Sequence, residues 1–253
     1  GKFYVMALGT GSSLNAVYDE LIRRYENKTL SFRNVVVFNA YEYYPLQKES
    51  SVRTINQLKE RFLNHVDIAE QNIFTLDGFV AQEAVQDCCR LYEQRIKTFG
   101  GLDVALIGIG RSGNIAANEP GSGIQSITRL ILIGNTSREE MENSEQTKET
   151  LPPCSLTMGI ATLLSAKAIY LTAWGEEKAE IMQKVVENSI TDSLPASFLQ
   201  THPNANVVLD LSAASHLTRI EHPWLVTSCQ WTDKLVRSAL GRLCRSAKIW
   251  LKP

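Results

Sequence analysis

The chain has 253 residues, 44% of them hydrophobic and 21% charged, which is typical of a globular protein with room for one large α/β domain or two small ones. Its 26 basic and 27 acidic residues give a net charge of −1, which argues against nucleic-acid and membrane-surface partners. The longest apolar runs, Val104–Gly110 and Ala168–Trp174, are too short to span a bilayer. Five cysteines fit no zinc spacing and no leader segment is visible, so we predict reduced thiols in a cytoplasmic protein.

Short apolar runs alternate with segments of helical spacing along the chain. The predicted strands are Phe3–Leu8, Val35–Phe38, Val104–Ile109, Arg129–Ile133, Ala168–Ala173 and Val207–Leu211. The predicted helices are Leu14–Tyr25, Val52–His65, Val80–Thr98, Thr157–Ser165, Glu176–Val186 and Thr232–Leu251. Because apolar strands followed by helices are typical of a parallel sheet covered on both faces, we predict a three-layer α/β fold with a mostly parallel, Rossmann-like sheet.

Ligands of such sheets bind beyond the carboxyl ends of the strands. The loops Gly9–Ser13, Asn39–Leu46, Gly110–Gly123 and Trp174–Lys178 follow predicted strands or lie at their ends, so we expect them to meet at one rim. No internal repeat or linker divides the chain. We therefore predict one domain over residues 1–215 and a helical extension over residues 216–253.

Two of these loops have the composition of an anion site. Gly9, Thr10, Gly11, Ser12 and Ser13 are small residues between a strand and a helix, where open backbone N–H groups and the helix dipole favour phosphate. A plain tight turn with hydroxyl caps explains the same residues equally well. Lys178 lies in the first turn of a helix, a position that disfavours a cation unless an anion is near, but a solvated lysine is the alternative.

The third loop, from Gly108 to Gly121, reads GIGRSGNIAANEPG. It resembles the signature G-I-G-x-D-G-H-I-x-F-N-E-P of the glucosamine-6-phosphate deaminase/isomerase family. Other segments resemble the same family in the same order: LGTGSS from Leu8, FNAYEY from Phe38, LTMGIATL from Leu156 and GEEKA from Gly175. The resemblance covers the chain from Val5 to about Leu211.

The resemblance implies conversion of glucosamine 6-phosphate to fructose 6-phosphate and ammonia without a metal or organic cofactor. It implies that Gly9–Ser13 and Lys178 hold the phosphate of a small-molecule sugar phosphate. Because members of the family are often oligomers, a homo-oligomer is one expected state. The family's first strand and helix have no counterpart here, which predicts either a trimmed sequence or a lost edge element. Residues after about 216 resemble a region of longer bacterial relatives in which a deacetylase-like domain can follow.

The positions that carry protons in the family differ in this chain. The family's C2 base aspartate corresponds to Tyr41, its ring-opening aspartate to Ser112 and its histidine to Asn114, whereas its last acid is present as Glu119. A tyrosine, with an ordinary pKa near 10, is a poor base at neutral pH, and asparagine cannot shuttle a proton. Glu42, next to Tyr41, is a substitute base only if the loop is not extended, because successive side chains of an extended segment point to opposite sides. The family's phosphate-clamping arginine corresponds, by a loose alignment, to Glu145.

Three functions remain open from the sequence. The first is a divergent deaminase or isomerase of amino-sugar metabolism that uses a rearranged set of groups. The second is a catalytically inactive module that binds a hexosamine 6-phosphate. The third is a hydrolase related to phosphogluconolactonases, which rely on a histidine where this chain has Asn114. Because a general acid or base contributes about 10²–10⁴-fold, the ordinary deaminase mechanism should be severely impaired.

Overall fold

The computed structural model describes residues 2–47, 50–144 and 150–246. Within these ranges, parallel strands form a six-stranded sheet in the order β4-β2-β1-β5-β8-β9. The strands of this sheet are β1 (Tyr4–Leu8), β2 (Val35–Asn39), β4 (Ile73–Phe74), β5 (Val104–Gly108), β8 (Ala168–Ala173) and β9 (Ala205–Leu209). This arrangement confirms the predicted parallel α/β sheet.

Helices cover both faces of the sheet. α1 (Asn15–Glu26) and α2 (Thr54–Arg61) cover one face, and α3 (Val85–Thr98), α5 (Ile160–Leu164) and α6 (Ala179–Glu187) cover the other. The other described helices are α4 (Asn135–Ser144), α7 (Thr218–Glu221) and α8 (Asp233–Ser246), and the last two bury no residue. Short 3₁₀ turns cover Ser12–Leu14, Leu63–His65, Glu70–Asn72, Gln82–Ala84, Glu176–Lys178, Pro195–Thr201 and Pro223–Leu225.

The alternation of side chains along the strands divides the interior into two cores. In β1, Val5 and Ala7 point into a core shared with α3, α5 and α6, whereas Met6 and Leu8 point into a core shared with α1 and α2. Successive side chains of a strand face opposite sides, so a strand covered on both sides is apolar throughout. This packing explains why the short apolar runs of the sequence identified the central strands.

A second, antiparallel sheet was not predicted. It has the order β3-β7-β6 and consists of β3 (Tyr41–Tyr44), β7 (Cys154–Thr157) and β6 (Arg129–Leu132). The predicted loop Asn39–Leu46 is therefore wrong in its central part, because these residues pair with Cys154–Thr157 more than 100 positions along the chain. The predicted helix Thr157–Ser165 is limited to α5 for the same reason, since Thr157 belongs to β7.

Several predicted boundaries also differ. The first turns of the predicted helices Val52–His65 and Val80–Thr98 are non-helical or 3₁₀, and the last strand ends at Leu209 instead of Leu211. The sequence analysis missed β4 and α4. The end of the last predicted helix, residues 247–251, lies outside the described residues. Among the helices that are described, none has both the length and the apolar character needed to cross a membrane.

Candidate active site

One cavity of about 1270 Å³ lies beyond the carboxyl ends of β1, β5 and β8. Its walls contain residues from all four loops that the sequence placed at one rim: Gly9–Ser13, Tyr41 with Tyr43, Gly108–Arg111 with Asn114, and Trp174 with Glu177 and Lys178. The predicted meeting of these loops is therefore confirmed. Helices α2 and α4 complete the wall with Gln57, Glu60, Arg61, Ser137 and Glu140.

The first loop is held in place by neighbouring strands. The Gly9 amide donates to the Leu106 carbonyl over 2.9 Å, and the Tyr18 hydroxyl donates to the Gly9 carbonyl over 2.6 Å. Ser13 is fixed from the end of β8, because the Thr172 hydroxyl reaches its Oγ (3.0 Å) and the Trp174 indole N–H donates to its carbonyl (2.6 Å).

The loop backbone presents its donors to the cavity. Across the described residues, the N–H groups of Thr10, Gly11, Ser12 and Ser13 donate to no protein acceptor. The opposite wall of the cavity is also backbone at Gly108. A side chain would not fit there, because a Cβ on Gly108 would lie 2.8 Å from Ser13 Oγ. Open amides in a fixed loop at the start of a helix form an anion-binding arrangement.

Lys178 brings the positive charge of this arrangement. Only 8% of the residue is exposed, and its Nζ pairs with Oε1 of Glu140 from α4. The other carboxylate oxygen of Glu140 accepts the backbone N–H of Arg111 over 2.7 Å. The Arg111 guanidinium points outward and contacts Glu177 at 3.0 Å, where both side chains are more than half exposed. A buried lysine at the rim of an anion loop supports the binding interpretation over a solvated lysine.

Tyr41 and Glu42 lie on opposite faces of β3. The Tyr41 hydroxyl is 3.0 Å from Thr10 Oγ1 and belongs to the cavity wall. The Glu42 carboxylate is buried behind that wall, where it accepts the backbone N–H groups of Thr54 (2.8 Å), Tyr43 (3.0 Å) and Ile55 (3.4 Å). Burial raises the pKa of Glu42 above its usual range, although these hydrogen bonds lower it. Glu42 therefore caps α2 and does not face the cavity.

The loop from Gly110 to Glu119 contributes to a chain of polar groups that joins two residues of the cavity wall, Asn114 and Ser137. Asn114, a cavity-wall residue, accepts the Ser112 hydroxyl on Oδ1 over 2.8 Å. Ser112 Oγ lies 3.2 Å from Ser137 Oγ. The loop can take this path because Gly110 and Gly113 have no side chain: a Cβ at either position would come within 2.0 Å of Asn114 Oδ1 or Leu194 Cδ1, respectively.

Glu119 lies at the inner end of this chain and is 7% exposed. Burial raises the pKa of Glu119, the nearby Glu140 carboxylate raises it further, and the Ser137 hydroxyl and Gly134 amide lower it. Its Oε1 is fully buried and has no hydrogen-bond partner among the described residues. A carboxyl group in such surroundings favours its neutral form.

The structure thus brings Tyr41, Asn114, Gly9–Ser13 and Lys178 to one cavity, whereas Ser112 and Glu119 are not part of its wall and Glu42 caps α2. Glu145 lies outside the described residues. Neither Ser137 nor Glu140 was predicted. Helix α4 has no acidic residue in its first turn, so no helix-start signal marks this segment of the sequence.

The described residues contain no group of three or more His, Cys, Asp or Glu side chains able to hold a metal ion. The site instead combines open backbone amides, a buried lysine, neutral polar side chains and carboxylates, two of which pair with Lys178 and Arg111. Fold and site together define an α/β protein with a polar cavity at the carboxyl rim of a parallel sheet.

Residues 1–209 match the family of "Glucosamine-6-phosphate isomerases/6-phosphogluconolactonase", and the chain belongs to that family. It is 57% identical over 245 residues to a glucosamine-6-phosphate deaminase-like protein of Bacteroides thetaiotaomicron, covering 97% of this chain but only 37% of that relative's length. It is 40% identical over 214 residues to the glucosamine-6-phosphate deaminase of Beutenbergia cavernae, covering 84% of this chain and 81% of that enzyme.

Solved structures agree with this placement. A monomeric glucosamine-6-phosphate deaminase superposes with a TM-score of 0.80 at 34% identity, covering 84% of this chain and 88% of the other. The 6-phosphogluconolactonase of Trypanosoma brucei superposes with a TM-score of 0.66 at 20% identity over 85% of this chain and 86% of the other, which indicates a shared fold. Family membership places the chain among deaminase-like proteins of amino-sugar metabolism.

Proposed function

We propose that this chain binds a hexosamine 6-phosphate in the rim cavity and has severely impaired or rearranged proton-transfer chemistry. The observation that carries the binding proposal is the placement of Lys178, 8% exposed, at the same cavity as the open amides of Gly9–Ser13. A cation and several N–H donors match the charge and the acceptor oxygens of a phosphate monoester.

The proposal of impaired chemistry depends on what faces the cavity at the positions that carry protons in the family. Tyr41 and Asn114 face it, and neither is a good base near neutral pH. The two carboxyl groups that the sequence left as acid–base candidates, Glu42 and Glu119, are 1% and 7% exposed and are not part of the cavity wall. Of the carboxylates that do line the wall, Glu140 pairs with Lys178 and Glu177 pairs with Arg111. We therefore expect binding with little or no turnover, as in a pseudoenzyme that retains its ligand site.

Binding and turnover of glucosamine 6-phosphate on one sample test both parts. Calorimetry measures binding, and ammonia release measures deamination. Lys178→Met should weaken binding about 10–100-fold, because it removes a charge-assisted contact with the phosphate. Binding that is unchanged in Lys178→Met, or absent in the wild-type chain, would contradict the assignment of the phosphate site.

Restoring the family residues tests the chemical part. The variant Tyr41→Asp with Ser112→Asp and Asn114→His should release ammonia faster than the wild-type chain by at least about 10²-fold, since each general acid or base contributes about 10²–10⁴-fold. Wild-type turnover that is already substantial and falls on Glu119→Gln would instead show a rearranged active enzyme. Hydrolysis of 6-phosphogluconolactone by the wild-type chain would favour the lactonase alternative.

A further inference from the structure

The phosphate side of the cavity already contains a negative group of the protein. Each carboxylate oxygen of Glu140 has its own partner: Oε1 pairs with Lys178 Nζ, and Oε2 accepts the Arg111 backbone N–H over 2.7 Å. A buried ammonium and a backbone amide are the kinds of partner that a bound phosphate takes. Glu140 thus occupies Lys178, one of the donors that the proposed function assigns to the ligand, together with a neighbouring backbone amide.

The first turn of α4 fixes this position of Glu140. Ser137, 1% exposed, lies 3.2 Å from Ser112 through their hydroxyl oxygens, so the start of the helix is anchored to the loop that follows β5. Arg138 donates to the Leu151 carbonyl over 3.1 Å, which ties the helix to the chain before β7. Residues three apart share one face of a helix, so anchoring Ser137 turns Glu140 towards the cavity.

The pair is shielded from solvent, which distinguishes it from the surface ion pairs of the chain. The side chains of Lys178 and Glu140 are 11% and 22% exposed, whereas those of Arg111 and Glu177 in the same cavity wall are 51% and 56% exposed. Exposed ion pairs contribute little, but a shielded pair with an additional backbone hydrogen bond is costly to separate without a replacement partner. A ligand phosphate is such a replacement for Lys178.

We propose that Glu140 is an internal anion that occupies the phosphate subsite and thereby sets how strongly the cavity binds a phosphorylated ligand. This inference depends on the proposed function for the identity of the ligand. A phosphate that pairs with Lys178 in place of Glu140 must displace the Glu140 carboxylate, because two anions in one place repel each other. The apparent affinity is then reduced by the fraction of molecules in which Glu140 has left Lys178. A sugar without phosphate does not compete with Glu140 and escapes this reduction.

Glu140→Gln tests the inference, because glutamine keeps the shape and can still accept the Arg111 amide but carries no charge. Glu139→Gln is the matched control, since Glu139 lies on the same helix with an exposed side chain and the charge change is identical. Calorimetry with glucosamine 6-phosphate, inorganic phosphate and glucosamine on the whole chain measures the effect. Thermal unfolding of both variants confirms that they fold.

We expect Glu140→Gln to bind glucosamine 6-phosphate and inorganic phosphate about 10–100-fold more tightly than the wild-type chain, which is the range for losing one hydrogen bond to a charged group. Glucosamine binding and the Glu139→Gln control should remain within about twofold of wild type. Tight phosphate binding in Glu140→Gln where the wild-type chain binds weakly supports the inference.

Two outcomes overturn it in different ways. Equal phosphate affinity in wild type and Glu140→Gln, both lost on Lys178→Met, removes the role of Glu140 and leaves the proposed function standing. No phosphate binding by the wild-type chain and none by a folded Glu140→Gln removes both. A gain that also appears in Glu139→Gln would be a general effect of net charge and would overturn the specific role of Glu140.

Discussion

Replacing Glu42 with glutamine separates a structural role from a catalytic one. The carboxylate accepts three backbone N–H groups behind the cavity wall, two of them from the start of α2. Glutamine retains one acceptor oxygen but turns an N–H₂ group towards a backbone donor. We expect a loss of about 1–3 kcal/mol in the free energy of unfolding, the cost of leaving one buried backbone donor without an acceptor. Glu42→Ala should cost about 3–5 kcal/mol, because all three donors lose their partner.

The pH dependence of this loss has a definite sign. The pKa of Glu42 is raised in the folded chain, chiefly by burial, so the folded state binds its proton more tightly than the unfolded state. Its protonated form therefore contributes stability that is complete below the unfolded pKa of about 4.5 and is lost as pH rises through the folded pKa. Because glutamine does not titrate, the stability deficit of Glu42→Gln should be largest at low pH and should shrink as pH rises.

Urea unfolding followed by circular dichroism, at a series of pH values, measures both effects. Tyr41→Phe on the same strand is the control; it removes a hydroxyl at the cavity wall and should cost no more than about 1.5 kcal/mol. The capping role would be refuted if Glu42→Gln unfolds like the wild-type chain but loses turnover of glucosamine 6-phosphate. That result would make Glu42 the substitute base that the sequence left open.

Further variants test other parts of the structure. Glu119→Gln should be more stable than the wild-type chain, and the difference should grow as pH rises above about 4.5. The reason is that burial raises the pKa of Glu119 and disfavours its charged form. Equal differences in thermal unfolding at pH 4 and pH 8 would contradict this. Tyr92→Phe should lose about 1–2 kcal/mol in urea unfolding, because it deprives the Asn39 carbonyl of a 2.7 Å hydrogen bond; an unchanged midpoint would argue against that bond. Gly159→Ala should lose at least about 2 kcal/mol, since its Cβ would lie 2.1 Å from the Ser126 carbonyl oxygen, and a wild-type melting temperature would show that the contact relaxes.

The main sheet could be predicted because its central strands are buried on both sides. Val35–Phe38 and Val104–Ile107 have no polar residue, and burial on both faces requires such a run. The second sheet could not be predicted in this way. Tyr41–Tyr44 is short and contains a glutamate, and its partner strand lies more than 100 positions later, so no local pattern identifies the pairing.

The candidate site could likewise be predicted only in part. Its loops follow strands and carry recognisable motifs, so their meeting at one rim could be predicted from Gly9–Ser13, Gly110 and Lys178. The contribution of α4 could not. Its sequence NTSREEMENS contains one apolar residue, Met141, so helical periodicity is weak, and nothing local indicates that Glu140 turns towards Lys178. Such a partner is determined by tertiary packing.

Because successive side chains of β3 face opposite sides, the neighbouring residues Tyr41 and Glu42 have different structural roles. Tyr41 faces the cavity on one side of β3, and Glu42 accepts hydrogen bonds from the start of α2 on the other side. A substitution at residue 41 alters the reactivity of the cavity while the anchor of α2 persists, so mutational tolerance should be high at residue 41 and low at residue 42. For protein engineering, residue 41 is therefore a position where new reactive side chains can be introduced into the cavity. The hydrogen bonds that hold β3 to α2 come from residue 42 and are not affected by such a change.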